Sequence, residues 1–108
     1  MARNPGKRLE EWVKQAMQTL YEDAKLRKMS GALHGDGDVT AGPFEFECKD
    51  NPEQKSISVT EADWKRTVSA ARQAGKIPVF VNENKNGTFV TMQWSTFYRL
   101  IDEALGNQ

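Results

Sequence analysis

The chain has one cysteine, one histidine, no long apolar run and no net charge. Cys48 alone excludes an internal disulfide, and with His34 as the only histidine there is no Cys/His cluster to hold a structural zinc. No stretch approaches the roughly 18 to 20 apolar residues of a bilayer span, which excludes a transmembrane helix. The basic start, Met1 to Arg8, leads into Leu9-Glu10-Glu11 and not into an apolar signal core. These absences predict a reducing, intracellular and cytoplasmic setting with no membrane partner. What is present is a 108-residue chain, 38% hydrophobic and 28% charged, with five Phe, three Trp and two Tyr. That is one globular domain over residues 1–108, too short for a second core.

The zero balance hides a pattern. Residues 1–28 carry seven basic and four acidic side chains, and residues 64–85 carry five basic and one acidic. Between them, residues 36–63 carry eight acidic and two basic. An acidic centre between basic flanks suits a metal site beside a phosphate-binding surface.

Apolar residues Leu9, Trp12, Val13, Ala16, Met17, Leu20, Tyr21 and Ala24 recur at helical spacing and predict a helix from Lys7 to about Lys28, ended by Ser30-Gly31. Gly31 to Gly37 reads as a loop. Asp38 to Ala41 and Phe44 to Lys49 are expected strands around a Gly42-Pro43 turn. Thr60-Glu61-Ala62-Asp63 resembles a capping box and opens a helix to Ala74 that Gly75 closes. Ile77–Val81 and Thr88–Trp94 are further strands, and Ser95 is expected to cap a last helix, Thr96 to Leu105, with Phe97, Leu100, Ile101 and Ala104 on one face. The order αββαββα is an α/β fold, a mixed central sheet flanked by helices.

The chemistry concentrates in Asp38 and Glu45-Phe46-Glu47-Cys48-Lys49. Alternation puts Glu45, Glu47 and Lys49 on one strand face, Glu47 and Lys49 about 7 Å apart, and Phe44, Phe46 and Cys48 toward the core. The tight turn folds Asp38 back beside Glu47. Two carboxylates and an amine at the end of a hairpin make a hard-oxygen site for a divalent cation, most naturally Mg2+, with Mn2+ as a substitute. Such an ion lowers the pKa of bound water and neutralises charge on a phosphate, which is what phosphodiester hydrolysis requires.

An acid in the first helix (Glu10), a Gly/Ser-rich loop from Ser30 to Gly37, Asp38-Val39, Glu47-Cys48-Lys49 and the Gly75-Lys76-Ile77-Pro78-Val79 strand entry occur in this order over residues 6 to 82. In this the chain resembles the PD-(D/E)xK nucleases, and among them the small Holliday-junction resolvases of archaea and phages. Gly37 stands before Asp38 where the family name has proline. The resemblance implies a restriction-endonuclease-like domain in which Asp38, Glu47 and the backbone carbonyl of Cys48 hold the metal and Lys49 is the catalytic lysine. Glu10 would complete the site or hold a second ion. Periodicity alone does not separate Glu10 from Glu11; the resemblance prefers Glu10. It also implies a homodimer that acts on four-way DNA junctions. The alternatives are a nuclease for linear duplex or flap DNA and a catalytically silent DNA-binding domain.

The basic residues Arg8, Arg27, Lys28, Lys55, Lys65, Arg66 and Arg72, with Ser30 in the loop, are candidates for DNA contact. Lys65 and Arg72 share a helix face while Arg66 points elsewhere. His34 is read as an exposed loop residue and Asp36 as a loop-tip acid, not the ligand. Cys48 is read as packing. Trp12 and Trp94 are expected to pack in apolar stripes, and Trp64 is the best of the three for stacking on bases.

Overall fold

Helix α1 runs from Lys7 to Gln18, and its inward side is a narrow stripe of Leu9 and Val13 with Met17 at the margin. The structure is a computed structural model that describes residues 7–27 and 38–106. The apolar spacing predicts helix to about Lys28, but α1 ends ten residues earlier. Thr19 turns its hydroxyl onto the Ala16 carbonyl at 2.7 Å, the amides of Leu20 and Tyr21 both return to the Met17 carbonyl, and the Gln18 side chain donates to the Ala24 carbonyl at 3.2 Å. A threonine hydroxyl that binds nearby backbone competes with helix continuation. Tyr21 and Ala24 still reach the core, from a turn, so their spacing imitates a helix that has stopped. Directly after Ala24 lies β1 (Lys25–Leu26), a strand the periodicity does not anticipate.

Strands β2 (Val39–Ala41) and β3 (Phe44–Asp50) form the expected hairpin, with Val39 opposite Phe46 and Ala41 opposite Phe44. Its turn needs glycine twice over. Gly42 has φ of 52°, its amide donates to Asp23 Oδ1 at 2.8 Å, and a Cβ there would run into the Tyr21 ring. Helix α2 (Glu61–Ala74) then crosses the sheet to β4 (Ile77–Asn84), which pairs with β3 in parallel. The capping box is present as read: Thr60 accepts from the Asp63 amide, the Asp63 side chain accepts from the Thr60 amide, and Gly75 ends the helix in the left-handed conformation. Strand β5 (Gly87–Thr91) returns antiparallel to β4, and α3 (Trp94–Ala104) follows.

The result is a single compact α/β domain with a five-stranded mixed sheet ordered β1-β2-β3-β4-β5 and, among the described residues, three helices. The extra strand β1 makes the observed order αβββαββα. The hydrophobic core joins Leu9 and Val13 of α1 to Val39, Ala41, Phe44, Phe46, Cys48, Val79 and Val81. Strand alternation sends Glu45, Glu47, Lys49 and Phe80 to the opposite face, where α2 packs with Asp63, Thr67, Ala70 and Ala71 buried. Both sheet faces are therefore covered, which is why β3 is buried along most of its length despite its charges.

The last helix departs from expectation. It starts at Trp94 with Gln93 as its cap, without a side-chain bond, so Ser95 lies inside it. Leu100 touches the core, but no residue of α3 is fully buried, and Trp94, Phe97, Tyr98, Ile101 and Leu105 are exposed. Trp12 is also half exposed, because the buried stripe of α1 is centred on Leu9 and Val13 and passes beside it. No helix among the described residues is long and apolar enough to cross a membrane.

Candidate active site

Asp38 sits at the mouth of β2, where the hairpin ladder ends: its amide donates to the Phe46 carbonyl at 2.8 Å. Its side chain extends the ladder by one step, with Oδ2 accepting from the Cys48 amide at 2.7 Å. A side chain bonded to the backbone of β3 has its direction set by the sheet. Glu10, from the first turn of α1, hydrogen-bonds to the same Asp38 carboxyl. Glu11, one residue on, forms an ion pair with Lys14 at 3.1 Å instead. The structure thus separates the two acids that periodicity leaves equivalent.

Glu47 lies on β3 next to this pair. Burial pushes its carboxyl up to about 7, helped by the charges of Asp38, Glu10 and Asp63 and opposed by Arg66. Burial likewise raises Asp38, against the lowering pull of the Cys48 amide, Glu10 and Arg66. Three acids from α1, the start of β2 and β3 therefore sense one another. Among the described residues, however, no three His, Cys, Asp or Glu side chains converge as a formed metal cage. The donor set is all oxygen and its members repel one another when ionised, which fits a hard divalent cation such as Mg2+. Cys48 is buried, and burial pushes its thiol far up, so it is a packing residue and not a nucleophile at neutral pH.

Lys49 points along the same face as Glu47 but spends its amine on α2: Nζ lies 3.2 and 3.4 Å from the two carboxylate oxygens of Asp63. Arg66, one turn further on α2, donates to Asp63 Oδ1, and its Nε is 3.8 Å from Glu47 Oε2. Burial alone would raise the Asp63 carboxyl, but the hydrogen bonds from Lys49 and Thr60 outweigh it and hold the group below its ordinary value. Asp63 is the site neighbour that sequence reasoning missed, and Arg66, read there only as a candidate for DNA contact, lies beside Glu47. Asp63 was legible only as a helix cap. The usable signal was that residues 63, 67, 70 and 71 form the stripe of α2 that must lie against the charged face of β3.

The remaining basic candidates are dispersed. Arg8 binds Glu83 and lies 3.7 Å from Asp50, joining α1 to the sheet. Arg27 forks onto Glu45 at 2.9 and 3.1 Å, and Glu45 is 1% exposed. Lys65 pairs with Glu61 on the surface of α2. Lys65 and Arg72 line an open groove of about 600 Å³ with Trp64, Val68, Ser69, Gln73 and Gln93. Lys55 is exposed in the 51–60 loop, whose carbonyls at Lys55 and Ser56 accept from Asn86 and Asn84 of the β4–β5 hairpin. Lys28, Ser30, His34 and Asp36 lie outside the described residues. No protein-family model, no curated protein and no solved structure matches this chain.

Proposed function

We propose that the chain is a magnesium-dependent endonuclease for branched DNA that hydrolyses phosphodiester bonds in four-way junctions as a homodimer. The observation that carries the reading is the Asp38 carboxyl at the open end of the β2–β3 hairpin, fixed by the Cys48 amide and hydrogen-bonded to Glu10, with the buried Glu47 on the adjoining strand close enough to feel its charge. Carboxyls buried at that cost in desolvation, with one another's charge added, are explained better by a cation-binding role than by packing.

Asp38, Glu47, the Cys48 carbonyl and Glu10 would hold Mg2+. The ion, when bound, supplies an activated water and neutralises charge on the phosphate. The chain does the rest. The Cys48 amide orients Asp38, so the ligand direction is set before any ion arrives. Lys49 and Arg66 bring two positive charges to the side of Glu47 that faces α2, suited to a phosphate approaching the carboxylates. The exposed cations Lys65 and Arg72, beside Trp64, line a separate groove on another face of α2 and would offer phosphate contacts there.

The dimer is supported by α3, whose exposed apolar residues form one continuous helix face that its own domain leaves uncovered. Incubation of the pure protein with a four-way junction and with linear duplex of matched sequence, in Mg2+ and in EDTA, tests the reading. Metal-dependent cutting confined to the junction is the expected result. Cutting of both substrates points to a general nuclease, and binding without cutting points to a silent DNA-binding domain.

A further inference from the structure

We propose that Asp63 of α2 is a positioning residue of the site, holding Lys49 and Arg66 as an oriented pair of cations beside Glu47. The inference rests on the nuclease reading and names how its lysine is aimed.

A lysine on a four-carbon stem has many rotamers, and an amine that is to meet a phosphate must be held in few of them. Lys49 is partly solvent-exposed, so packing does not fix it. Asp63 does: among the described residues it is the carboxylate that Lys49 donates to, with both its oxygens within 3.4 Å of Nζ. The neighbour of Lys49 in register on β4 is Asn82, a neutral residue that offers no competing charge. Asp63 is itself immobile. Its side chain is 3% exposed, accepts from the Thr60 amide, and rides on a helix start fixed by a complete capping box. Arg66 donates to the same carboxylate, so one buried anion holds two cations, and Arg66 also reaches toward Glu47. A surface ion pair would not have this rigidity; here the anion is anchored and only the cations reach solvent. The capping box thus connects the start of α2 to the catalytic strand.

The test compares wild type, Asp63→Asn and Asp63→Glu. Asparagine keeps an acceptor for the Thr60 amide but removes the charge. Glutamate is a standard residue at this capping-box position and restores the charge. Single-turnover cleavage of a four-way junction should fall about 10- to 100-fold in Asp63→Asn, with junction affinity unchanged within about twofold, and recover at least in part in Asp63→Glu. Acylation of Lys49 in metal-free protein, read by mass spectrometry against Lys65 as internal reference, should rise severalfold in Asp63→Asn. Circular dichroism melting shows whether the variants are folded. Wild-type rate, or unchanged Lys49 labelling, in a folded Asp63→Asn overturns the positioning role and leaves the nuclease reading standing. A wild-type protein that cuts no DNA in Mg2+ overturns both.

Discussion

Asp38 and Cys48 are joined by a hydrogen bond from the Cys48 amide to the Asp38 carboxylate at 2.7 Å, across a hairpin whose backbone pairing has already ended. The bond replaces a missing rung of the ladder with a side chain. It also aims that side chain at the end of the sheet where Glu10 and Glu47 lie. A tripeptide as common as Glu-x-Lys gains meaning here from the acid that the turn folds back onto it.

Lys49→Ala should abolish metal-dependent cleavage, by at least about 100-fold, while junction binding and melting temperature stay close to wild type. The side chain is partly exposed; its loss would remove charge stabilisation in the transition state and one of the two cations on Asp63, whose buried charge Arg66 still compensates. Gel-based cleavage and binding assays on the same preparation check this. A variant that cuts at the wild-type rate removes Lys49 from the site.

Glu47→Gln should stabilise the metal-free protein in a pH-dependent way. Burial raises this carboxyl from an ordinary 4.5 to about 7, so between those values the folded state keeps a proton that the unfolded state has released. Stability therefore falls as pH rises through that window, and the ionised group costs the fold on the order of 1–3 kcal/mol above it. Glutamine mimics the protonated form. In EDTA the variant should melt several degrees higher than wild type at pH 8 and nearly level with it at pH 4. Mg2+ should raise the wild-type melting temperature at pH 8 and leave that of Glu47→Gln nearly unchanged. Asp38→Asn should lose Mg2+ affinity in the same titration. Equal metal affinity in both variants and wild type places the ion elsewhere.

What could be read in the chain before folding, and what could not, divides along a physical line. The α2 boundaries were legible because Thr60, Asp63 and Gly75 carry capping chemistry that acts within a few residues. The β2–β3 hairpin was legible from Gly42-Pro43 and the alternation after it. The end of α1 was not, because Tyr21 and Ala24 are apolar for a core they reach from a turn, and spacing alone does not distinguish a turn from a helix. For the site, Asp38, Glu47 and Lys49 share one hairpin and their proximity follows from its turn. Asp63 and Arg66 come from across the crossover, and their arrival at Lys49 and Glu47 depends on how α2 docks on the sheet. That docking is a property of tertiary packing, and its one local mark is the small-residue stripe of Thr67, Ala70 and Ala71 in line with Asp63.

Arg27 should prove to be a structural residue whatever its nearness to DNA. Its guanidinium holds both oxygens of a carboxylate that is otherwise sealed in the fold. Removing one partner of a buried pair leaves the other charge uncompensated, and Arg27→Ala should cost about 3–5 kcal/mol. Glu45→Gln in the same background should recover part of that loss by removing the stranded charge. Urea unfolding of the two variants and wild type measures it. An Arg27→Ala protein as stable as wild type, with weakened junction binding, would instead mark Arg27 as a DNA contact.

Association should depend on the outer face of α3. Trp94 and Leu105 are 72% and 70% exposed at the two ends of the helix, with Phe97, Tyr98 and Ile101 between them, and Leu100 holds the helix to the core from the other side. An apolar face of this kind stays in water only at a cost of about 25 cal/mol per Å². Two copies packed through it bury that area and give a dyad-related pair of sites, as a junction cut at two phosphodiesters requires. Light scattering at micromolar concentration should therefore give a dimer mass, with or without a four-way junction. Phe97→Glu with Ile101→Glu should give a folded monomer, because neither residue is fully buried within its own domain. The monomer should still bind Mg2+, since the three carboxyls lie on α1 and the β2–β3 hairpin and none lies on α3. Its junction cleavage should drop to single, uncoordinated nicks, visible as nicked intermediates on a denaturing gel. A wild-type protein that scatters as a monomer in both conditions and cuts linear duplex would replace the junction-specific dimer with a general nuclease.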